Sequence, residues 1–177
     1  MKTILLLALT GLTLIAFPAA GAGSGYAVSA DGEVDTRYEL TSVAPTNGTI
    51  SGVVADGKYL TGTTATLTAV PAEGYVFTGW TGAASGTVNP LSLMMNGDKT
   101  IGGSFTREYT LAISAVSDGS ISGIAVDGKY LTGTTATLTA VPAAGYAFTG
   151  WTGAASGTAN PLALLVDADM TIGATFT

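Results

Sequence analysis

Between Thr64 and Val70 the chain reads TATLTAV, with Ala65, Leu67 and Ala69 alternating with Thr64, Thr66 and Thr68. A period of two sends the two sets to opposite faces of an extended strand, so this stretch predicts a half-buried β-strand. Pro71 ends it. Similar short runs precede and follow. YELTSVAPT and TISGVVA flank Asn47-Gly48, a pair that predicts a type I′ hairpin turn. Asp56-Gly57 marks a second turn. YVFTGW, NPLSLMM and, after Asn96-Gly97, KTIGGSF complete the series. No stretch carries helical periodicity for more than a turn, so the pattern predicts an all-β module of about six short strands.

The module occurs twice. DGKYLTGTTATLTAVPA stands unchanged at Asp56–Ala72 and Asp127–Ala143, 71 positions on. Tyr38 and Tyr109, Trp80 and Trp151, Pro90 and Pro161, and Phe105 and Phe176 keep the same spacing. The copies run 38–106 and 109–177, with only Arg107 and Glu108 between them. A fixed period of this length means an array of like modules, here two tandem small β-domains, β-grasp-like or a small sandwich. The threonine row recurs as Thr135, Thr137 and Thr139. It suits an exposed strand face and also a glycan- or ice-binding row.

Each copy holds an aromatic cluster between glycines, GYVFTGWTG at Gly74–Gly82 and GYAFTGWTG at Gly145–Gly153. In a regular strand Tyr75 and Phe77 share a face and Trp80 takes the other. An outward Trp80 is a stacking ring for a sugar. A β-bulge at Gly79 instead returns Trp80 to Phe77 in the core. A unit without disulfides needs the area an aromatic buries, which favours the core reading. The same applies to Phe148, Gly150 and Trp151, with Tyr75 and Tyr146 at the edge and their hydroxyls toward water.

Composition narrows the chemistry. The 177 residues include no Cys and no His, which removes the common zinc, haem and iron–sulfur ligand sets and Ser-His or Cys-His catalysis. No cofactor is implied. Charged residues are 10 % of the chain, with a net charge of −6. Nothing basic is clustered to neutralise phosphates, so nucleic acid is not an expected partner. So little charge on 25 glycines and a mean hydropathy of +0.46 suits self-association.

Lys2, the apolar run Ile4–Phe17, Pro18 and the small residues Ala20-Gly21-Ala22 read as an export signal, residues 1–22. Val28-Ser29-Ala30 is a second, more distant cleavage candidate. The apolar run is shorter than the roughly 20 residues of a membrane span. The mature chain is therefore expected outside the cytoplasm, secreted or at the cell surface, with no membrane segment. Residues 23–37 belong to neither repeat and read either as a flexible leader or, through YAVSADGEV and Tyr26, as a strand that pairs with its own domain or with a second copy.

The order Gly-Thr before an alternating strand, Ala-Val-Pro, Gly-Tyr-x-Phe-x-Gly-Trp, Asn-Pro and a terminal Phe resembles the divergent InlB B-repeat family over both copies. The resemblance implies small β-modules of exported proteins, distantly related to β-grasp-like listerial B-repeats, with spacer, adhesive or structural roles and no catalytic residues. Two repeats without a larger domain favour a protein whose repeats are themselves the product.

The remaining candidates are thin. Asp56, Asp127, Asp98 and Asp169 recur beside turns, which Asp favours for its own backbone bonds. Asp167 and Asp169 come nearest to a calcium site, but Asn96 replaces Asp167 in the first copy. Lys58 and Lys129 suit a solvated turn or an isopeptide bond. The expectation is an exported, non-enzymatic subunit of a filament or surface layer whose partner is itself. The alternative is an adhesin or glycan binder using exposed aromatics.

Overall fold

The computed structural model describes residues 25–28 and 34–177. The export signal expected at residues 1–22 and the rest of the leader lie outside them. All regular structure among the described residues is β. The strands are β1 (Gly25–Val28), β2 (Val34–Ser42), β3 (Gly48–Ser51), β4 (Lys58–Leu60), β5 (Thr64–Pro71), β6 (Tyr75–Gly82) and β7 (Leu91–Met94). There follow β8 (Lys99–Ile113), β9 (Gly119–Ser122), β10 (Lys129–Leu131), β11 (Thr134–Pro142), β12 (Phe148–Gly153), β13 (Leu162–Val166) and β14 (Met170–Phe176). The chain forms two compact units. Unit 1 holds the described residues up to Val70 together with Phe77–Phe105, and unit 2 holds Pro71–Val76 with Thr106–Thr177.

Unit 1 is two sheets around one core. In the first, β2 pairs with β1 and β4 antiparallel and with β8 in parallel, and β6 pairs with β8. The second has the order β3-β5-β7. The inward residues of β5, Ala65, Leu67 and Ala69, are 1 %, 0 % and 3 % exposed. They meet Leu40, Tyr59, Trp80 and Ile101 from the other sheet, with Leu93 and Met95 closing the end. Unit 2 repeats the plan: β10 and β14 pair with the second half of β8, β12 pairs with β14, and β9, β11 and β13 form the second sheet. Its core is Leu111, Ala136, Leu138, Ala140, Trp151, Leu164, Val166, Ile172 and Phe176.

Each repeat thus has seven strands where the sequence pattern predicts six. The extra one is Lys-Tyr-Leu, β4 and β10, too short to show a period. Its Tyr59 is buried, and the hydroxyl accepts from Val54 N–H and donates to the Gly52 carbonyl at 3.0 and 3.1 Å. Asp56 Oδ1 accepts from Lys58 N–H at 3.0 Å and holds the turn that starts the strand.

The hairpin expected at Asn47-Gly48 does not form. β2 is already paired through Arg37–Glu39 with β4 and through Leu40–Ser42 with β8, so the chain leaves for the other sheet and β3 joins β5. Only Asn47 takes a positive φ, 66°. Gly48 lies in β3, where a Cβ would stand 2.6 Å from the Phe105 ring. The glycine is there for the close approach of that ring. Asp118, at φ 63°, and Gly119 against Phe176 repeat the arrangement.

Two polar side chains tie the sheets together. Asn89 donates Nδ2–H to the Ala69 carbonyl at 2.8 Å, and its Oδ1 accepts from Ala69 N–H at 2.9 Å. The side-chain amide thereby serves β5 as a neighbouring strand would. Asn160 does the same for Ala140. Trp80 is 3 % exposed, and its indole N–H donates to the Val88 carbonyl at 2.8 Å.

Two outcomes are expected in urea denaturation followed by circular dichroism. Trp80→Ala lowers stability by about 3–5 kcal/mol through the cavity it leaves. Asn89→Ala lowers it by about 2 kcal/mol or more, since it strands the N–H and C=O of buried Ala69.

Candidate functional site

The tryptophans are inside. Trp80 and Trp151 are each 3 % exposed. Their rings meet Phe77 and Phe148 edge to face, with centroids 5.0 and 5.2 Å apart. Phe77 and Phe148 in turn touch Phe105 and Phe176 at 5.6 and 5.9 Å. Between β12 and β14 the register shifts from Phe148 opposite Phe176 to Gly150 opposite Thr175. This is the bulge that brings Trp151 back to the side of Phe148. The main-chain N–H of Trp80 leaves the ladder and bonds to the Gly86 carbonyl at 2.9 Å, as Trp151 does with Gly157. The Thr81–Thr87 loop is therefore held by main-chain bonds at Ala83 and Gly86, and by the indole just beyond it at Val88. Neither tryptophan has a face open for a ligand.

The threonines are outside. Thr64 and Thr66 are exposed and Thr68 is half-buried. They share the outer face of β3-β5-β7 with Thr49, Ser51, Val70, Ser92 and Met94, since Thr64 stands opposite Met94 and Thr66 opposite Ser92. In unit 2, Thr135, Thr137 and Thr139 stand opposite Leu165, Ala163 and Ser122, and Val141 opposite Ser120. No strand of either three-stranded sheet contains a charged residue. Val70, Met94, Val141 and Leu165 are 46 %, 59 %, 45 % and 51 % exposed on these faces. The side chains on the outer surface end in hydroxyls, methyls and the Met94 thioether in the first sheet, and in hydroxyls and methyls in the second.

The tyrosines are not equivalent. In unit 2 the Arg107 guanidinium carbon lies 5.5 Å from the Tyr75 ring centroid and 5.2 Å from that of Tyr109. Hydrogen bonding to Tyr75, with a smaller contribution from Tyr109, raises this guanidinium above its ordinary value. Glu73, Gly74, Glu108, Thr110, Lys129 and Asp169 line a shallow depression beside it. Tyr146, the repeat counterpart of Tyr75, is 46 % exposed. Tyr26 lies on β1, where its backbone stands opposite Thr36. The Arg107 contact is absent from the sequence reading; the only signal was that Arg107 and Glu108 are the two residues outside the repeat.

The repeated acids serve the backbone. Asp98 Oδ1 accepts from Glu39 N–H and Asp169 Oδ1 from Thr110 N–H, both at 2.8 Å. Among the described residues no three of His, Cys, Asp and Glu converge to hold a metal ion, and no helix is long and apolar enough to cross a membrane. Lys129 Nζ donates to Glu108 Oε2 at 2.7 Å.

These features define a class, a tandem-repeat all-β protein whose repeats are small two-sheet modules. The model of the divergent InlB B-repeat domain matches residues 38–108 and 109–177, and the chain belongs to this family. It is a family of non-enzymatic repeat modules associated with bacterial surface or exported proteins. No curated protein and no solved structure matches the chain.

The Lys129–Glu108 pair raises the lysine above its ordinary value of 10.5, first through their hydrogen bond and then through charge attraction. A raised folded value means that the contribution is whole below the ordinary value and is lost as pH climbs through the folded one. Lys129→Met is expected to be slightly less stable than the parent near neutral pH, with the difference reduced by salt and shrinking as pH rises past the ordinary lysine value, as denaturation at neutral and at strongly alkaline pH reads out.

Proposed function

We propose that this protein is an exported, non-enzymatic structural subunit that assembles with copies of itself into an extracellular filament or surface layer. The observation that carries the reading is the charge-free outer face of both three-stranded sheets, with Val70, Met94, Val141 and Leu165 exposed on it. Charge keeps protein surfaces apart, and an exposed apolar face without it favours contact with another copy. Every ionisable side chain of the two repeats lies on the other sheet or in a turn or loop. The sequence features agree: an export signal, two near-identical repeats and a low overall charge.

A second reading, a surface adhesin or glycan binder, draws on the exposed ring of Tyr146 and the threonine rows. The buried tryptophans leave it without the strongest stacking platforms.

Negative-stain microscopy of the purified chain without its export signal is expected to show filaments or sheets. Dispersed particles at every concentration and ionic strength overturn the reading. Thr66→Lys with Thr137→Lys places one charge on each face at exposed positions. These changes are expected to abolish assembly while the thermal melt of the dispersed protein stays within a few degrees.

A further inference from the structure

The opening strand of each repeat carries a Gly-Tyr segment on one edge and a Lys-Tyr-Leu strand on the other. In unit 2, Glu108 N–H donates to the Gly74 carbonyl, and on the other edge Thr132 N–H donates to the Arg107 carbonyl, both at 2.9 Å. In unit 1, Gly25 lies opposite Arg37, and Thr61 N–H donates to the Thr36 carbonyl at 2.9 Å. Arg37 and Glu108 are the same repeat position, as are Thr36 and Arg107. β1 therefore holds on β2 the register that Gly74-Tyr75 holds on the second half of β8. The residues agree too: GYAV at 25–28 and GYVF at 74–77.

The strand that receives the segment is copied as well. Gly32, Val34, Tyr38 and Leu40 stand 71 positions before Gly103, Phe105, Tyr109 and Leu111. The repeated pattern thus reaches back past Tyr38 along β2. Between donor and receiver the copies differ. Val28 pairs with Val34 across residues 29–33, whereas residues 78–104 separate Phe77 from Phe105. Residues 25–37 are the closing strand pair of a repeat with its middle left out.

In unit 2 the segment comes from the preceding repeat, since Pro71–Val76 packs there and not in unit 1. Gly74 takes a φ of 75°, which a side chain would strain, and its carbonyl reaches Glu108. The Tyr75 ring lies 5.5 Å from the Arg107 guanidinium carbon, a cation–π contact across the pairing.

We propose that the β2 edge at Val34–Arg37 is a binding site for an extended Gly-Tyr-x-apolar strand, and that β1 is the ligand it holds. Uncovered, this edge presents unpaired N–H and C=O groups. Main-chain bonds hold the ligand, as in other recognition by strand addition. β1 is tethered through residues 29–33, so its effective concentration at the edge exceeds that of a free strand. It closes the edge to other chains and leaves the charge-free faces of the other sheet open to a second copy. A chain cut between Ala22 and Gly23 on export keeps this ligand, and one cut between Ala30 and Asp31 loses it.

The chain has no cysteine, so each introduced thiol reports one contact. Pairs alternate along an antiparallel ladder. Gly25–Arg37 and Ala27–Asp35 are hydrogen-bonded, as Gly74–Glu108 is, and Tyr26–Thr36 is the closer pair, within reach of a disulfide. In the chain without its export signal, Tyr26→Cys with Thr36→Cys is expected to close an intramolecular disulfide on oxidation, read by intact mass. Ala27→Pro removes a main-chain donor from β1. With Thr36→Cys it is expected to capture a free peptide of residues 25–30 carrying Tyr26→Cys at least about tenfold faster than Thr36→Cys alone, where tethered β1 competes. The same peptide carrying Ala27→Cys instead is expected to be captured poorly, because its thiol is out of register. No intramolecular disulfide, equal capture with and without Ala27→Pro, no capture at all, or equal capture of the two peptides overturns the proposal. Each readout is a mass from dilute protein, so it is independent of whether the chain assembles into filaments.

Discussion

The indole N–H of Trp80 donates to the Val88 carbonyl at 2.8 Å, and that of Trp151 to the Ala159 carbonyl at 2.7 Å. A ring this large gives a small module much of its buried apolar area, but its N–H is costly to bury without an acceptor. The bond therefore decides where the following loop runs. Val88 is adjacent to Asn89, whose amide fills the ladder position beside Ala69 on β5. One side chain on the first sheet thus fixes the loop, and Asn89 just beyond it fixes the second sheet. The all-β units achieve this without a disulfide, since the chain has no Cys.

Much of this is written locally in the chain. The alternation of Thr64–Ala69 corresponds to the inward alanines and leucine of β5, and the parity of Phe77 and Trp80 demands an irregularity near Gly79, where the repeat counterpart Phe148–Gly150 shows a register shift. What was illegible depends on partners distant in sequence. Lys58–Leu60 is a strand because β2 lies beside it, and three residues cannot announce a period. Gly48 looks like turn chemistry because the ring it accommodates, Phe105, is far along the chain. The parallel pairing of Leu40–Ser42 with Lys99–Ile101 leaves no trace in either segment. Tyr75 and Tyr146 read alike in sequence, and only the presence of Arg107 beside the first separates them.

The distribution of polarity has its own logic. The inner positions of β5 and β11 read Ala-x-Leu-x-Ala, a leucine between two small residues that leave room for the facing sheet. The outer positions carry threonine, which keeps the strand extended through β-branching without adding charge. The edge strands β3, β7, β9 and β13 are only four or five residues long. Short edges limit indiscriminate strand pairing, so the charge-free surface is presented as a face rather than as an open edge.

The parallel pairing of the first and last strands of each repeat, Leu40–Ser42 with Lys99–Ile101 and Leu111–Ile113 with Met170–Ile172, has a mechanical consequence. Tension along the chain enters a repeat at the start of one of these strands and leaves at the end of the other. The two are then pulled past each other lengthwise, and their hydrogen bonds carry the load together instead of opening one after another. A module wired in this way resists stretching along the direction in which the chain is strung.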